Sequence, residues 1–351
     1  MPQDSLEHFL TQFTDTDEYN TLQQLLRGEL TAFPHFPLRQ LLVHFPSYIT
    51  SIKKLNPLKY RYSLEVEAFA DCVAAYSFPD VYLLETVCKY PAVAHIYCAE
   101  LEHTRMHLSH CLHDLHQRLQ SATFKHKASQ QQSRMNRNYR TMCHYVDTLF
   151  TLHARPVVVR VDFSYISTAQ IEIEQLEQHL ERFYESTLAV YPVHQHPLGL
   201  FSHLKGRILK IEYGVEKGLH VHALLFFDGS KRKGSSDVHL AQSIGEYWRD
   251  KIVGAEGHYW NCNDKKYHYE RLGRLGIGEI HALEQDKMNN LKNIVRYFCK
   301  RKQYIKPISK PKMRLVRAGD LPDIPLVKKG APRKELPNII SKRIKKLEGL
   351  M

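Results

Sequence analysis

Two histidines on one predicted strand are the first residues whose type and spacing could support chemistry. His220 and His222 lie two positions apart in the run LHVHALLFF, whose other residues favour a strand. Because side chains alternate between the two faces of a strand, both imidazoles project from the same face. The pair is compatible with a metal site, and also with one histidine packed in the core and the other at a strand edge.

A carboxylate can be added to this pair if the preceding segment folds back as a hairpin. With a turn from Gly214 to Gly218, Tyr213 pairs with Leu219 and Glu212 lies directly opposite His220. Two imidazoles and a carboxylate would form a divalent-metal site with open positions. A register slip of one residue would move Glu212 to the other face, so its assignment depends on the turn.

A tyrosine and a lysine on a basic segment are the second set of candidates. In NNLKNIVRYFCKRKQYIK the apolar residues repeat at helical spacing, and Tyr297 and Lys300 flank that apolar stripe. Tyr304 is seven residues beyond Tyr297 and would lie on nearly the same side of a continuous helix. A phenol is a poor nucleophile unless a cation or a metal-bound phosphate helps it, and Lys300 could supply that help. The same spacing also fits an amphipathic packing tyrosine.

A histidine-rich stretch, LEHTRMHLSHCLHDLHQRL, is the third candidate. Its five histidines recur at spacings of four and three, and a pair four apart on a helix can bind a transition metal. No acidic residue stands where a helical zinc protease needs its base. The stretch therefore also fits a partly exposed, histidine-rich helix face. It comprises His103, His107, His110, His113 and His116.

The elements that would position these residues predict an α+β fold. Apolar periodicity and scattered prolines predict short helices over 1–120, and the polar, basic segment 121–150 is interpreted as a connector or an exposed helix. From 151 to 307, strands alternate with helices and two strands share a short loop, which indicates an antiparallel sheet with flanking helices. In the basic tail, 308–351, prolines argue against regular structure before a short helix near the end.

Charge and composition restrict the class of protein. The net charge is +12, and residues 291–351 alone carry 18 basic and 4 acidic side chains. Such a segment suits a polyanion, most simply nucleic acid, or a solvated tail. The sequence has no apolar run long enough to span a membrane and no signal-peptide pattern at its start, so we expect a cytoplasmic protein with no membrane partner. Seven cysteines without a CxxC pair predict reduced thiols.

The ordered motifs resemble those of a known enzyme superfamily. The strand VVVRVDFSY, the hairpin ending in LHVHALLFF and the helix VRYFCK resemble the three motifs of HUH single-strand endonucleases. More closely, KIEYGVEKGLHVHALLFFDGS, YWNCN, GIGEIHA and NLKNIVRYFCKRKQYIK resemble the filamentous-phage (inovirus) gene-2-type replication proteins, also called the YagK/YfjJ C-terminal domain. The resemblance covers about residues 155–307 and implies an HUH-type nicking domain over 151–307.

The resemblance also implies roles for these residues. His220 and His222, with Glu212 as third ligand, would hold Mg²⁺ or Mn²⁺ as cofactor. Tyr297 would attack a DNA phosphate to leave a 5′-phosphotyrosyl link and a free 3′-hydroxyl, Lys300 would orient that phosphate, and Tyr304 could be a second nucleophile. The resemblance places the strand over 157–165 by position only and assigns no catalytic role to Arg160 or Asp162.

The function expected from the resemblance is initiation of rolling-circle-type DNA replication by a phage or mobile element. The implied partners are single-stranded or supercoiled origin DNA, followed by host helicase and polymerase. Two alternatives remain at this point. One is a non-catalytic nucleic-acid-binding protein on the same fold, with Tyr297 as a stacking residue. The other is a relaxase or transposase that uses the same motifs.

Overall fold

The computed structural model describes residues 16–26, 36–53, 55–76, 78, 80–89, 99–169, 171–188, 199–214, 217–300 and 306–323. Within these residues the fold is a mixed α+β arrangement: a helical first third precedes an antiparallel sheet covered by helices. The predicted fold class is confirmed. No helix in the described ranges is both long and apolar enough to cross a membrane.

The first third forms a helical unit around its own apolar core. Leu22, Phe45, Phe69 and Leu112 are fully buried in this core. The prediction that this region is mostly helical is confirmed. Its helices are α1 (Thr16–Leu26), α2 (Phe36–Ile52), α3 (Leu64–Tyr76), α4 (Val81–Lys89) and α5 (Ala99–Gln120).

The segment interpreted as a connector or exposed helix is a helix, α6 (Ala122–Leu152). It begins at Ser121, whose side chain accepts a hydrogen bond from the Phe124 backbone N–H, as an N-cap serine typically does. Its first half is largely exposed, whereas Tyr145 and Leu149 near its end are buried against the sheet. The helix therefore extends from the first third to the sheet.

The described part of the sheet has the order β5-β2-β4-β3-β8, with β6 also paired to β2, and every pairing is antiparallel. The β3–β4 hairpin has the predicted register, with Tyr213 opposite Leu219 and Glu212 opposite His220. Gly218 closes the turn with a φ of +63°, a conformation that favours glycine. The strands are β2 (Val157–Tyr165), β3 (Leu204–Gly214), β4 (Gly218–Phe227), β5 (Gly257–Asn261), β6 (Gly278–Glu279) and β8 (Val316–Ala318).

The two faces of the sheet carry different layers. One face packs on helices α7 (Ile173–Thr187) and α8 (Asp237–Tyr247), and its core includes Phe163 stacked on Trp248 at 4.6 Å between ring centroids. The other face packs on α6 and on α10 (Gln285–Cys299). The short helix α9 (Lys266–Arg271) precedes α10 in the chain. The apolar stripe predicted for α10 is buried there, at Leu291, Val295 and Phe298. Glu212, His220, His222 and Tyr297 lie on this second face.

The start of the C-terminal tail is tied to the rest of the molecule. A two-residue strand, β7 (Lys306–Pro307), pairs with β1 (Tyr60–Arg61), and β8 forms an edge of the main sheet beside β3. The expectation that prolines prevent regular structure here was wrong for β8, because none of the tail's prolines falls within its three residues. Lys310 and Arg317 both form ion pairs with Glu177 of α7. The predicted terminal helix lies outside the described residues.

Candidate metal centre and its tyrosine

The β3–β4 hairpin brings Glu212, His220 and His222 together on one face of the sheet. The Nε2 atoms of His222 and His220 lie 3.1 Å and 3.6 Å from Oε2 of Glu212. One potential ligand atom from each of the three residues lies within 4.8 Å of the others, and all three residues are buried. The predicted convergence of these side chains is therefore found, because the hairpin has the register that it required.

The turn glycine fixes the orientation of His220. Its Nδ1 lies 3.0 Å from the carbonyl oxygen of Gly218, and a carbonyl can only accept a hydrogen bond. Nδ1 therefore carries a proton, and Nε2 faces Glu212. A histidine that donates its outer N–H to a backbone carbonyl is a usual arrangement for a metal ligand.

His222 lies between two carboxylates. Its Nδ1 is 2.8 Å from Oδ1 of Asp162, and its Nε2 faces Glu212 on the other side. Burial disfavours the charged ring, but Asp162 and Glu212 outweigh that effect and raise the pKa of His222. Two imidazole nitrogens and a carboxylate oxygen within 4.8 Å of one another are a donor set that fits a divalent cation.

Asp162 and Arg160, for which no catalytic role was expected, lie at the centre of this arrangement. Arg160 donates through Nε and Nη2 to the two carboxylate oxygens of Asp162, each at 3.2 Å. Burial disfavours the carboxylate, but Arg160 and His222 outweigh it and hold the pKa of Asp162 well below its ordinary value. The sequence of β2 could have indicated both residues, because its polar positions alternate with the buried Val161 and Phe163 and therefore share one face of the strand.

A buried lysine is the other residue that the sequence did not indicate. Lys210 is opposite His222 in the sheet register and only 3% exposed. Burial opposes the charge on Glu212, but hydrogen bonds to His220 and His222, together with Lys210, lower the pKa of Glu212 to about 2. Glu212 is thus held as a carboxylate, the form that a metal ligand needs.

Helix α10 places Tyr297 beside the metal set. The rings of Tyr297 and His222 are 5.7 Å apart and nearly perpendicular, and Phe298 stacks on His222 from the same helix. Lys300 Nζ and the guanidinium carbon of Arg160 each lie 6.0 Å from the centre of the Tyr297 ring. The Tyr297 phenol therefore has two basic side chains near it as well as His222.

The remaining sequence candidates have different outcomes. Lys300 caps α10 in an extended conformation, so the helix ends at Cys299. Tyr304, which was linked to Tyr297 by helical spacing, lies outside the described residues. In the described part of the chain, the histidines of α5 do not form a set of three potential metal ligands.

Comparison with known proteins identifies one family. The sequence model of the YagK/YfjJ C-terminal domain matches residues 118–311, a range that includes α6, most of the sheet and α10. No curated protein and no solved structure matches the chain.

Proposed function

The chain belongs to the YagK/YfjJ C-terminal domain family, and we propose that it is a metal-dependent DNA-nicking enzyme that initiates rolling-circle-type replication. In this proposal Tyr297 is the nucleophile, and Glu212, His220 and His222 hold Mg²⁺ or Mn²⁺. The substrate is single-stranded origin DNA or the same sequence exposed in supercoiled DNA.

One observation carries the proposal: a buried set of two imidazoles and a carboxylate lies directly beside a tyrosine on a basic helix. The Tyr297 and His222 rings are 5.7 Å apart, and the three ligand atoms lie within 4.8 Å of one another. Either feature alone is compatible with ordinary packing. Their proximity favours transfer of a phosphoryl group to the phenol, since such a reaction needs a nucleophile and a phosphate-binding cation at one place.

The reaction can be written with its atoms balanced. Tyr297 Oη attacks the scissile phosphorus, forming an O–P bond as the bond from phosphorus to the 3′ oxygen breaks. The phenol loses its proton and the departing 3′ oxygen gains one, so the products are a 5′-phosphotyrosyl link and a 3′-hydroxyl. When bound, the divalent cation would polarise the phosphate. Lys300 and Arg160, each 6.0 Å from the centre of the Tyr297 ring, would supply positive charge to the phosphate oxygens as these become more negative.

The products suit replication. The free 3′-hydroxyl is a primer for a polymerase, and the covalent link conserves the phosphodiester energy for later closure of the strand. We therefore infer that host helicase and polymerase act after this protein. The order of the three motifs supports a relationship to the filamentous-phage gene-2-type proteins within the HUH endonucleases.

The decisive test is capture of the covalent intermediate. Purified protein is incubated with Mn²⁺ and labelled single-stranded DNA from the replicon that encodes it. The labelled DNA that remains attached to the denatured protein is then quantified on a denaturing gel. We expect an adduct with wild-type protein and none with Tyr297→Phe. Tyr82→Phe, which removes the same hydroxyl from an exposed tyrosine in the first third, should leave the adduct unchanged.

Two results would contradict the proposal. An adduct that persists in Tyr297→Phe would assign the nucleophile to another residue, with Tyr304→Phe as the next variant to examine. Salt-sensitive DNA binding without an adduct on any origin fragment would instead favour a non-catalytic binding protein.

A further inference from the structure

The two tryptophans of the chain have opposite environments. Trp248 is completely buried in the core on the α7 and α8 face, whereas Trp260 on strand β5 is 52% exposed. A single exposed aromatic residue is common on protein surfaces and means little by itself. The position of Trp260 relative to the metal centre is what makes it informative.

Trp260 lies in the same cross-strand row as the metal centre. Asp162 is paired with Trp260 on one side and with His222 on the other. On β5, Tyr259 packs into the opposite core, so the alternating Trp260 points to the face that carries Asp162 and His222. Trp260 is therefore two strands from His222, a backbone separation of about 10 Å.

The surroundings of Trp260 are basic and polar. Lys265 Nζ lies 5.8 Å from the centre of the indole ring, and residues 264–274 carry four basic and two acidic side chains. His258, next along the same face, has its Nδ1 3.1 Å from the Ser164 hydroxyl. Aromatic rings beside basic side chains are the combination used by proteins that bind single-stranded nucleic acid.

We propose that Trp260 is a stacking subsite for a base of single-stranded DNA, one that lies next to the phosphate bound at the metal centre, and that Lys265 binds the backbone beside this base. The position of that phosphate rests on the proposed function. The subsite itself requires only that single-stranded DNA cross this face. Its role is to set which phosphodiester reaches Tyr297, since a stacked base fixes the strand on one side of the reacting bond.

The test uses the chain's own fluorescence. The protein is titrated with single-stranded oligodeoxynucleotide in EDTA, which prevents cleavage, while tryptophan emission and fluorescence anisotropy of a labelled strand are recorded. We expect the DNA to quench wild-type emission, because a base stacks on Trp260. Trp260→Phe should show no quenching, because its only remaining tryptophan is the buried Trp248.

Affinity supplies the second measurement. Trp260→Ala should bind single-stranded DNA about 5- to 150-fold more weakly than wild type, and Trp260→Phe should fall between them. Tyr267→Ala, which removes an exposed aromatic residue just beyond Lys265, is the matched control and should change the affinity little. Quenching absent in wild type, or equal affinity for Trp260→Ala and wild type, would overturn the inference.

The inference and the proposed function can fail separately. Adduct formation with no Trp260-dependent binding would reject the stacking subsite and leave the nicking reaction in place. Quenching and Trp260-dependent affinity with no adduct would reject the nicking reaction and retain the subsite.

Discussion

Two groups of histidines, five on helix α5 and two on strand β4, have different surroundings. On α5, His113 contacts the Tyr19 hydroxyl, the ring of His116 stacks on Tyr19, and Nδ1 of His107 lies 3.1 Å from the Tyr76 carbonyl oxygen. On β4, His220 and His222 both face Glu212. The contacts of the larger group are with Tyr19 and Tyr76 of the helical unit, whereas the smaller group converges on one carboxylate.

The difference comes from geometry rather than from the number of histidines. Spacings of three and four place the α5 histidines along one face of a single helix, where they meet side chains and backbone of the neighbouring helices at successive turns. A hairpin instead brings residues ten positions apart in sequence to one point, and neighbouring groups then orient each ring. Gly218 does this for His220 and Asp162 does it for His222. A candidate metal centre differs from a histidine-rich surface because its ligand atoms converge and a neighbouring group bonds to the second nitrogen of each ring.

The largest expected effect is a loss of metal binding when the β4 histidines, but not the α5 histidines, are replaced. The double variant His220→Ala, His222→Ala should lose Mn²⁺ affinity and adduct formation by at least about 100-fold, because the remaining carboxylate alone is a weak site. The matched double variant His103→Ala, His107→Ala should retain both. Calorimetric titration with Mn²⁺ and the adduct assay measure them. If the α5 variant lost Mn²⁺ affinity and the β4 variant kept it, the metal site would lie on α5 and not on β4.

An intermediate effect is expected from the outer partner of His222. Asp162→Asn removes the charge that orients the ring, so Mn²⁺ affinity should fall by about 10- to 100-fold, the usual range for such partners. Asp228→Asn makes the same change beside another histidine, His153, away from the metal set, and should have no effect on the Mn²⁺ titration. Equal metal affinities for Asp162→Asn and wild type would show that His222 is held without Asp162.

The smallest effects concern stability within α5. His116 is buried and stacked on Tyr19 at 3.9 Å, so His116→Ala should lower the free energy of unfolding by about 1 kcal/mol. His103 is exposed, and His103→Ala should stay within about 0.5 kcal/mol of wild type. Urea denaturation followed by circular dichroism measures both. A larger loss for His103→Ala than for His116→Ala would mean that the environments of these histidines are misassigned.

The sequence predicted the hairpin and its three potential ligands because the relevant information is local. Two glycines define the turn, and strand alternation then determines which side chains share a face. It did not predict Asp162, because the contact with His222 depends on β2 lying beside β4 in one particular register, sixty residues away in the chain. Lys210 was missed for a related reason, since its burial results from tertiary packing and leaves no periodic signal.

In the C-terminal tail, the sequence argued against a strand that the structure contains. Proline content is a good guide to where long regular elements cannot form, but it does not exclude three residues that only need to pair with an existing strand. The strand β8 is specified by its partner β3 and by the ion pair of its Arg317 with Glu177, so its sequence alone carries little indication of it.

The position of β8 also affects how the family domain can be studied in isolation. The family match ends at residue 311, five residues before β8 begins. A fragment cut there would leave Ile208, Leu209 and Lys210 without the strand they pair with, and an uncovered edge readily pairs with another chain. Because Glu212 lies on that same strand, self-association would occur next to the metal ligands. Fragments intended for biochemical work should therefore extend at least through Gly319, whose N–H bonds to the Arg207 carbonyl.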